Sequence, residues 1–235
     1  MSTPPRFNDS VEPHHLRLNV DEYDDIYVVG DVHGSHVELE HLLEKLALGP
    51  DDLVLFVGDL VRKGPYSPHV IDLVRQHDQL LSVRGNNEQK VIRGDKEPDW
   101  LREGDRAFFE SLPVVISFDD AMVVHGGVNP ARPLTDHSIE ELLNMRAPDG
   151  DGYDGPFWYE AYEGPQRVFF GHTVHDEPFV GEHAVALDTG CVYGGTLTAY
   201  DYRRDRLVTV ESMVTHEDRR DSKFVEPGWQ SVSPT

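Results

Sequence analysis

The sequence predicts an α/β fold whose first half is a β-α-β-α-β run of parallel strands. Apolar, β-branched runs at 26–29, 53–57 and 80–83 end in Gly30-Asp31-Val32-His33-Gly34, Gly58-Asp59-Leu60-Val61 and Gly85-Asn86-Asn87-Glu88. Runs of this kind closed by glycine suit strands buried on both faces. Segments with helical spacing lie between them, and such crossovers are right-handed and parallel. Ligands in open α/β sheets collect beyond the carboxyl ends of the strands. Asp31, His33, Asp59 and Asn86 are thereby delivered to one edge.

Residues 1–19, with Pro4, Pro5 and Pro13 among polar residues, are expected to form a flexible tail. After the first strand, Ser35-x-x-Glu38 reads as a capping box opening a helix that carries Leu39, Leu42, Leu43 and Leu46. Ser67 as N-cap, with Pro68 at the first helical position, opens a second helix carrying Val70, Ile71 and Val74. The second half changes character. A helical segment at 100–111 precedes a hairpin of 114–118 and 122–124 across the turn Asp119-Asp120. Asp149-Gly150-Asp151-Gly152 and Asp154-Gly155-Pro156 mark a long loop. Residues 167–170 form another strand, and 185–187, 196–202 and 207–210 read as closing antiparallel strands. Residues 216–235 read as a second flexible tail, which leaves 20–215 as a single domain of ordinary size.

Charge is lopsided: 43 acidic residues against 21 basic, a net of −22, with 16 Arg and only 5 Lys. Excess surface acid suits a halophile's salt-rich cytosol, where repulsion is screened. It argues against nucleic-acid and anionic-membrane partners. No apolar run reaches membrane-spanning length, and residues 1–10 lack the basic and apolar regions of a signal peptide. The single cysteine, Cys191, excludes an internal disulfide framework. A cytoplasmic location is expected.

His125, before Gly126-Gly127, and His172, in Gly171-His172-Thr173, repeat the pattern of an apolar run followed by a ligand beside glycine. Each residue alone has a plainer reading. Asp-x-His in a loop is usually a capped turn, Asn86 beside Gly85 tolerates a left-handed backbone, and His172 could cap a turn. Together, Asp31, His33, Asp59, Asn86, His125 and His172 point to a metal site. Two metals about 3.5–4 Å apart need a bridging carboxylate and several imidazole or oxygen donors. This set supplies them.

Gly-Asp-Val-His-Gly, Gly-Asp-Leu-Val, Arg-Gly-Asn, Val-His-Gly-Gly and Gly-His-Thr, in that order, resemble the phosphoprotein phosphatase family of binuclear metallophosphatases. Asp188-Thr189-Gly190-Cys191, followed by Gly194-Gly195 and Leu197, is similar to the closing segment of its prokaryotic, diadenosine tetraphosphatase-like members. The resemblance runs from about Asp24 to Val210. It implies a metallophosphoesterase four-layer sandwich, two mixed β-sheets flanked by helices. It also implies two divalent metal ions, manganese first, with iron or zinc as alternatives. Asp31, His33 and Asp59 would hold one, and Asp59, Asn86, His125 and His172 the other. The implied reaction is direct attack on phosphorus by a hydroxide bridging the metals, with a phosphorylated small molecule or a phosphoprotein as substrate.

Departures from the family pattern matter for chemistry. Where most members have Asp-Arg-Gly, this chain has Arg62-Lys63-Gly64, and where most have His after the metal-binding Asn it has Asn87. In the family that His protonates the leaving group and that Asp orients it. General-acid help is worth roughly 10²–10⁴-fold. It matters most for a poor leaving group such as a serine alkoxide. The expected substrates are therefore phosphoanhydrides, nucleoside polyphosphates above all, or activated phosphomonoesters. A Ser/Thr protein phosphatase and a metal-binding pseudophosphatase are the alternatives. Lys63 and Arg146 are candidate phosphate ligands, Asn87 can hydrogen-bond the departing oxygen, and Arg62 reaches either substrate or an acidic neighbour. His36 or His175 could replace the missing acid, while Arg84 and Cys191 read as structural.

Overall fold

The computed structural model describes residues 4–149 and 152–226. In chain order it contains β1 (His15–Arg17), β2 (Ile26–Val29), α1 (His36–Leu46), β3 (Leu53–Phe56), α2 (Ser67–Gln76) and β4 (Leu80–Ser82). These are followed by α3 (Asn86–Ile92), α4 (Asp105–Ser111), β5 (Val115–Phe118), β6 (Ala121–Val124) and α5 (Ile139–Asn144). The closing elements are β7 (Arg167–Phe170), β8 (Phe179–Val180), β9 (Ala184–Ala186), β10 (Thr196–Asp201) and β11 (Arg206–Glu211). One sheet has the order β11-β10-β2-β3-β4, with β2, β3 and β4 parallel and β10 antiparallel to β2. The other has the order β1-β5-β6-β7-β9-β8, antiparallel at β5–β6 and β8–β9 and parallel elsewhere.

Both sheets are mixed, and the period-two alternation of side chains sorts their residues into layers. Ile26, Val28, Leu53 and Leu55 from the first sheet meet Ile116, Val123, Phe169 and Val185 from the second. The alternate residues Val29, Val54 and Phe56 pack on Leu39 and Leu42 of α1, Val70 and Ile71 of α2 and Phe109 of α4. On the far side, Met122, Val124 and Phe170 pack on Leu142 and Leu143 of α5 and on Trp158. Helices, sheet, sheet and helix make the four-layer sandwich, which explains why the strand runs are apolar without alternation. Among the described residues, no helix is long and apolar enough to cross a membrane.

Several local expectations are corrected. The stretch 1–19 is not a loose tail in its described part: β1 pairs with β5, and Phe7 and Val11 are buried against the second sheet's outer layer. The second expected tail also packs, since Val225 is buried and bridges His175; residues 227–235 lie outside the described residues. Gly150 and Asp151 of the expected loop lie outside them too. Ser35 and Glu38 make no capping box; Glu38 is buried and accepts from the Met213 N–H after β11 (3.1 Å). Ser67 is the first residue of α2, not its N-cap, and its hydroxyl accepts from the Arg62 N–H (2.9 Å). The helix expected at 100–111 begins at Asp105. The Asp119-Asp120 hairpin forms, with Phe118 opposite Ala121.

Packing of the N-terminal stretch has a measurable consequence. Removing residues 1–17 should destabilise the protein by ~3 kcal/mol or more, about two buried side chains' worth, or roughly 6–12 °C in Tm. Thermal unfolding by circular dichroism reads this; an unchanged Tm would mean the stretch is dispensable to the core.

Candidate metal centre

Strand ends of both sheets converge on one buried cluster. Asp31 and His33 follow β2, Asp59 follows β3, Asn86 and Asn87 open α3 after β4, His125 follows β6 and His172 follows β7. His33, Asp59 and His172 hold left-handed backbone conformations (φ 49°, 50° and 63°), as do Arg62 and Lys63 (73° and 66°). Non-glycine residues reach that region at a cost, and it recurs where a site over-determines the backbone. Glycine is needed where the loops touch: a Cβ at Gly85 would sit 2.2 Å from both the backbone nitrogen and Oδ1 of Asp59. A Cβ at Gly171 would sit 1.9 Å from Asp31 Oδ1.

Asp59 lies at the centre. His33 Nε2 is 3.6 Å from Asp59 Oδ2 and equally far from Asp31 Oδ2, and His125 Nε2 is 3.5 Å from Asp59 Oδ1. Ligand atoms of Asp31, Asp59 and His125 all fall within 4.8 Å of one another. His33 donates through Nδ1 to the Val61 carbonyl (3.2 Å), and His125 through Nδ1 to the Val57 carbonyl (2.8 Å). Those bonds fix the tautomers and leave each Nε2 as a lone pair facing carboxylate oxygen. On the far side, His172 Nδ1 is 3.2 Å from the Asn86 amide, and the His172 N–H donates to Asp31 Oδ1 (3.2 Å). All six sequence-selected ligands are thus brought together.

The electrostatics follow from burial. His33 is pushed down to about 3 by burial and by Lys63, His125 is lowered by burial, and His172 by burial and by Arg146. All three imidazoles are therefore neutral donors. Burial raises the Asp31 pKa well above the carboxylate range, helped by Asp188 and Asp59. Burial works the same way on Asp59, but His125, His33 and Lys63 outweigh it and hold that pKa low. His125 Nε2 is buried without a hydrogen-bond partner and faces an acceptor with no proton between them. A cation satisfies such a pair, so the donor set fits divalent metal.

Arg62 and Asn87, two of the three departures from the resembled pattern, are bonded to each other: the Arg62 guanidinium donates to Asn87 Oδ1. The Asn87 amide in turn donates to Asp59 Oδ2, and its backbone N–H to Asp59 Oδ1 (2.8 Å). Lys63 Nζ lies 2.5 Å from His33 Nε2. Burial would lower the Lys63 pKa, but Asp59, Tyr193 and Asp188 raise it on balance, so the ammonium persists. Arg146 donates to the His172 carbonyl (3.2 Å) and lies beside its Nδ1 (3.4 Å).

Neither alternative histidine joins the cluster as an acid. His175 is wholly buried, bonded at both nitrogens to Tyr159 and Thr173, and lowered to about 4 by burial. His36 pairs with Glu40 (3.3 Å). Burial pushes the Cys191 thiol up to about 12, which removes it as a nucleophile. Arg84 donates to the Glu110 and Leu112 carbonyls and is structural. Sequence reasoning missed Glu88, whose carboxylate accepts from the N–H groups of Gly85 (2.8 Å), Asp59 (3.0 Å) and Val61 (3.2 Å). Its signal was present: Glu three residues after the N-cap Gly85. Asp188, buried beside Asp31 and Lys63, was also missed.

Comparison with known proteins agrees with this geometry. Residues 25–176 match the calcineurin-like phosphoesterase family. The chain is 30% identical to a bis(5'-nucleosyl)-tetraphosphatase PrpE of the asymmetrical type from Halalkalibacterium halodurans, over 79% of this chain and 93% of that one. It is 25% identical to the protein of the same name from a Geobacillus strain, over 81% and 96%. A crystal structure provisionally assigned as a diadenosine tetraphosphatase superposes with a TM-score of 0.76 at 28% identity, over 84% of this chain and 97% of that one. A protein serine/threonine phosphatase from Saccharomyces cerevisiae shares the fold (TM-score 0.60, 18% identity, 88% and 85% covered).

A ligand that binds only the folded state stabilises it by about 2.7 kcal/mol at a hundredfold excess over Kd. Manganese should therefore raise Tm by roughly 5–10 °C, and chelation should reverse it. Asp59→Asn should abolish most of that shift; an equal shift in the variant would place the metal elsewhere. Because Asp31 holds its proton above the usual carboxylate range, acidification should let protons displace the metal and shrink the shift.

Proposed function

This chain belongs to the calcineurin-like phosphoesterase family, and we propose that it hydrolyses phosphoanhydride bonds of dinucleoside polyphosphates. The proposed metals are two divalent cations, manganese first, held by Asp31, His33 and Asp59 and by Asp59, Asn86, His125 and His172. Such a pair of cations lowers the pKa of a water and neutralises phosphoryl oxygens. Lys63 and Arg146, at opposite sides of the cluster, add fixed positive charge for the oxygens that gain charge in the transition state.

The observation that carries the substrate reading is the Arg62–Asn87–Asp59 hydrogen-bond chain. Where the resembled pattern has a titrating Asp–His pair, this chain has a guanidinium and an amide, and neither supplies a proton near neutral pH. A phosphate leaving group needs none, since its last ionisation lies near about pH 6. Asn87 keeps a second amide hydrogen free to meet the departing oxygen, while Arg62 holds the amide in place. A serine alkoxide gets no comparable help. The names of the relatives further support unequal cleavage into a nucleoside mono- and triphosphate.

Turnover of diadenosine tetraphosphate, p-nitrophenyl phosphate and a phosphoserine peptide, in high salt with manganese, tests this. Diadenosine tetraphosphate should exceed the peptide by about 100-fold or more in kcat/KM, with AMP and ATP resolved by ion exchange. Equal rates on the peptide would sink the reading. The double variant Arg62→Asp/Asn87→His, which installs a titrating pair, should speed the peptide by about tenfold or more and the anhydride far less. A uniform change on both would contradict the leaving-group argument.

A further inference from the structure

Beside the metal cluster, cations and tyrosines alternate in one unbroken run of contacts. Arg146 lies over the Tyr153 ring, 4.8 Å from its centroid. Arg219 lies over that ring at 5.2 Å and over the Tyr193 ring at 4.8 Å. Lys63 Nζ lies over Tyr193 at 5.2 Å. Both ends of this arch rest on the cluster, Lys63 against His33 and Arg146 against His172. Its middle, Arg219, comes from the segment after β11 and has no part in the chemistry above.

Arg219 is braced rather than loose. It donates to Tyr153 Oη (2.6 Å) and Tyr193 Oη (3.1 Å), and to the Lys223 carbonyl (3.0 Å). Each tyrosine oxygen accepts from Arg219, so the hydroxyl hydrogen of each must point away from it and is available to donate. Lys63, Arg146 and Arg219 are all half-buried, in a chain with a net charge of −22. Like charges gathered in partial burial repel more than solvated ones. Asp188 acts on both Lys63 and Arg219, and the pKa of each is raised, so both stay charged and present fixed positive charge to a polyanion.

We propose that Tyr153, Tyr193 and Arg219 form a subsite for the phosphates of a polyphosphate chain that extend beyond the one at the metal cluster. Building on the anhydride reading, the subsite selects ligands with several consecutive phosphates over a single phosphoryl group. Tyr153 and Tyr193 donate to phosphate oxygens, and Arg219 is the positioning residue that fixes both hydroxyls and adds charge. The same chemistry would take inorganic polyphosphate or the bridge of a dinucleotide.

Two assays decide it: steady-state kinetics on diadenosine tetraphosphate and p-nitrophenyl phosphate, and calorimetric binding of inorganic tripolyphosphate and orthophosphate. Arg219→Ala should raise KM for the dinucleotide about tenfold with little change in kcat, and weaken tripolyphosphate about tenfold. Its effects on p-nitrophenyl phosphate and orthophosphate should be several-fold smaller. Losses of equal size on both ligand classes, or no loss, would overturn the proposal. Should Arg219→Ala fail to fold, Tyr153→Phe keeps the ring, and a rise of about threefold or more confined to the polyphosphate ligands is expected. An unselective effect there would be equally fatal. If the wild type ignores diadenosine tetraphosphate, the functional reading falls, and the ratio of tripolyphosphate to orthophosphate binding still decides the subsite. Tripolyphosphate binding without dinucleotide turnover would assign the subsite to inorganic polyphosphate.

Discussion

The fixed point of this structure is the buried carboxylate of Asp59. Its backbone is left-handed (φ 50°), its N–H is tied to Glu88, and its two oxygens face His33 on one side and His125 on the other. His33 belongs to the loop after β2 in the first sheet and His125 to the end of β6 in the second. The two sheets therefore have to pack with these strand ends in register. Glycine at 85 and 171 permits the close approach, and Glu88 clamps the loops after β3 and β4 with three backbone hydrogen bonds. Strain at a site is affordable only where surroundings over-determine it, and here the sandwich core does so.

From that fixed point the chemistry narrows. Asn87 bonds Asp59 through both its backbone and its amide, and Arg62 bonds Asn87, so the two substitutions act as a unit. A guanidinium replacing a carboxylate would be repelled by a protonated imidazole beside it; an amide accepts from it without penalty. The pair is thus tied to Asp59 by hydrogen bonds and offers no titrating proton of its own. What remains at positions 62 and 87 is a fixed positive charge and an amide, neither of which titrates near neutral pH. Such a site favours leaving groups that depart as stable anions.

The legible parts of the sequence were those governed by local rules. Apolar runs closed by glycine located β2, β3 and β4, and the residues after them supply Asp31, His33, Asp59 and Asn86 to the cluster. The Asp119-Asp120 turn placed β5 and β6 as a hairpin. What stayed hidden depends on distant partners. Glu38 satisfies the capping-box spacing but bonds Met213, far along the chain. Phe7, Val11 and β1 sit among prolines and polar residues, and distant partners give them structure: the edge of β5 for β1, and the second sheet's outer core for Phe7 and Val11. Arg219 looks like any surface arginine until Tyr153 and Tyr193 close on it. Ser67 had the right chemistry for a cap, yet its hydroxyl went to the strained Arg62 backbone instead.

The most direct test of the central claim, a phosphoesterase site without a general acid, is a leaving-group series of aryl and alkyl monophosphates run at fixed manganese and salt. Without proton donation, kcat/KM must fall steeply as the leaving-group pKa rises, and the fall must flatten in Arg62→Asp/Asn87→His. A shallow dependence in the wild type, together with an alkaline limb in its pH profile, would show that a titrating group donates the proton after all.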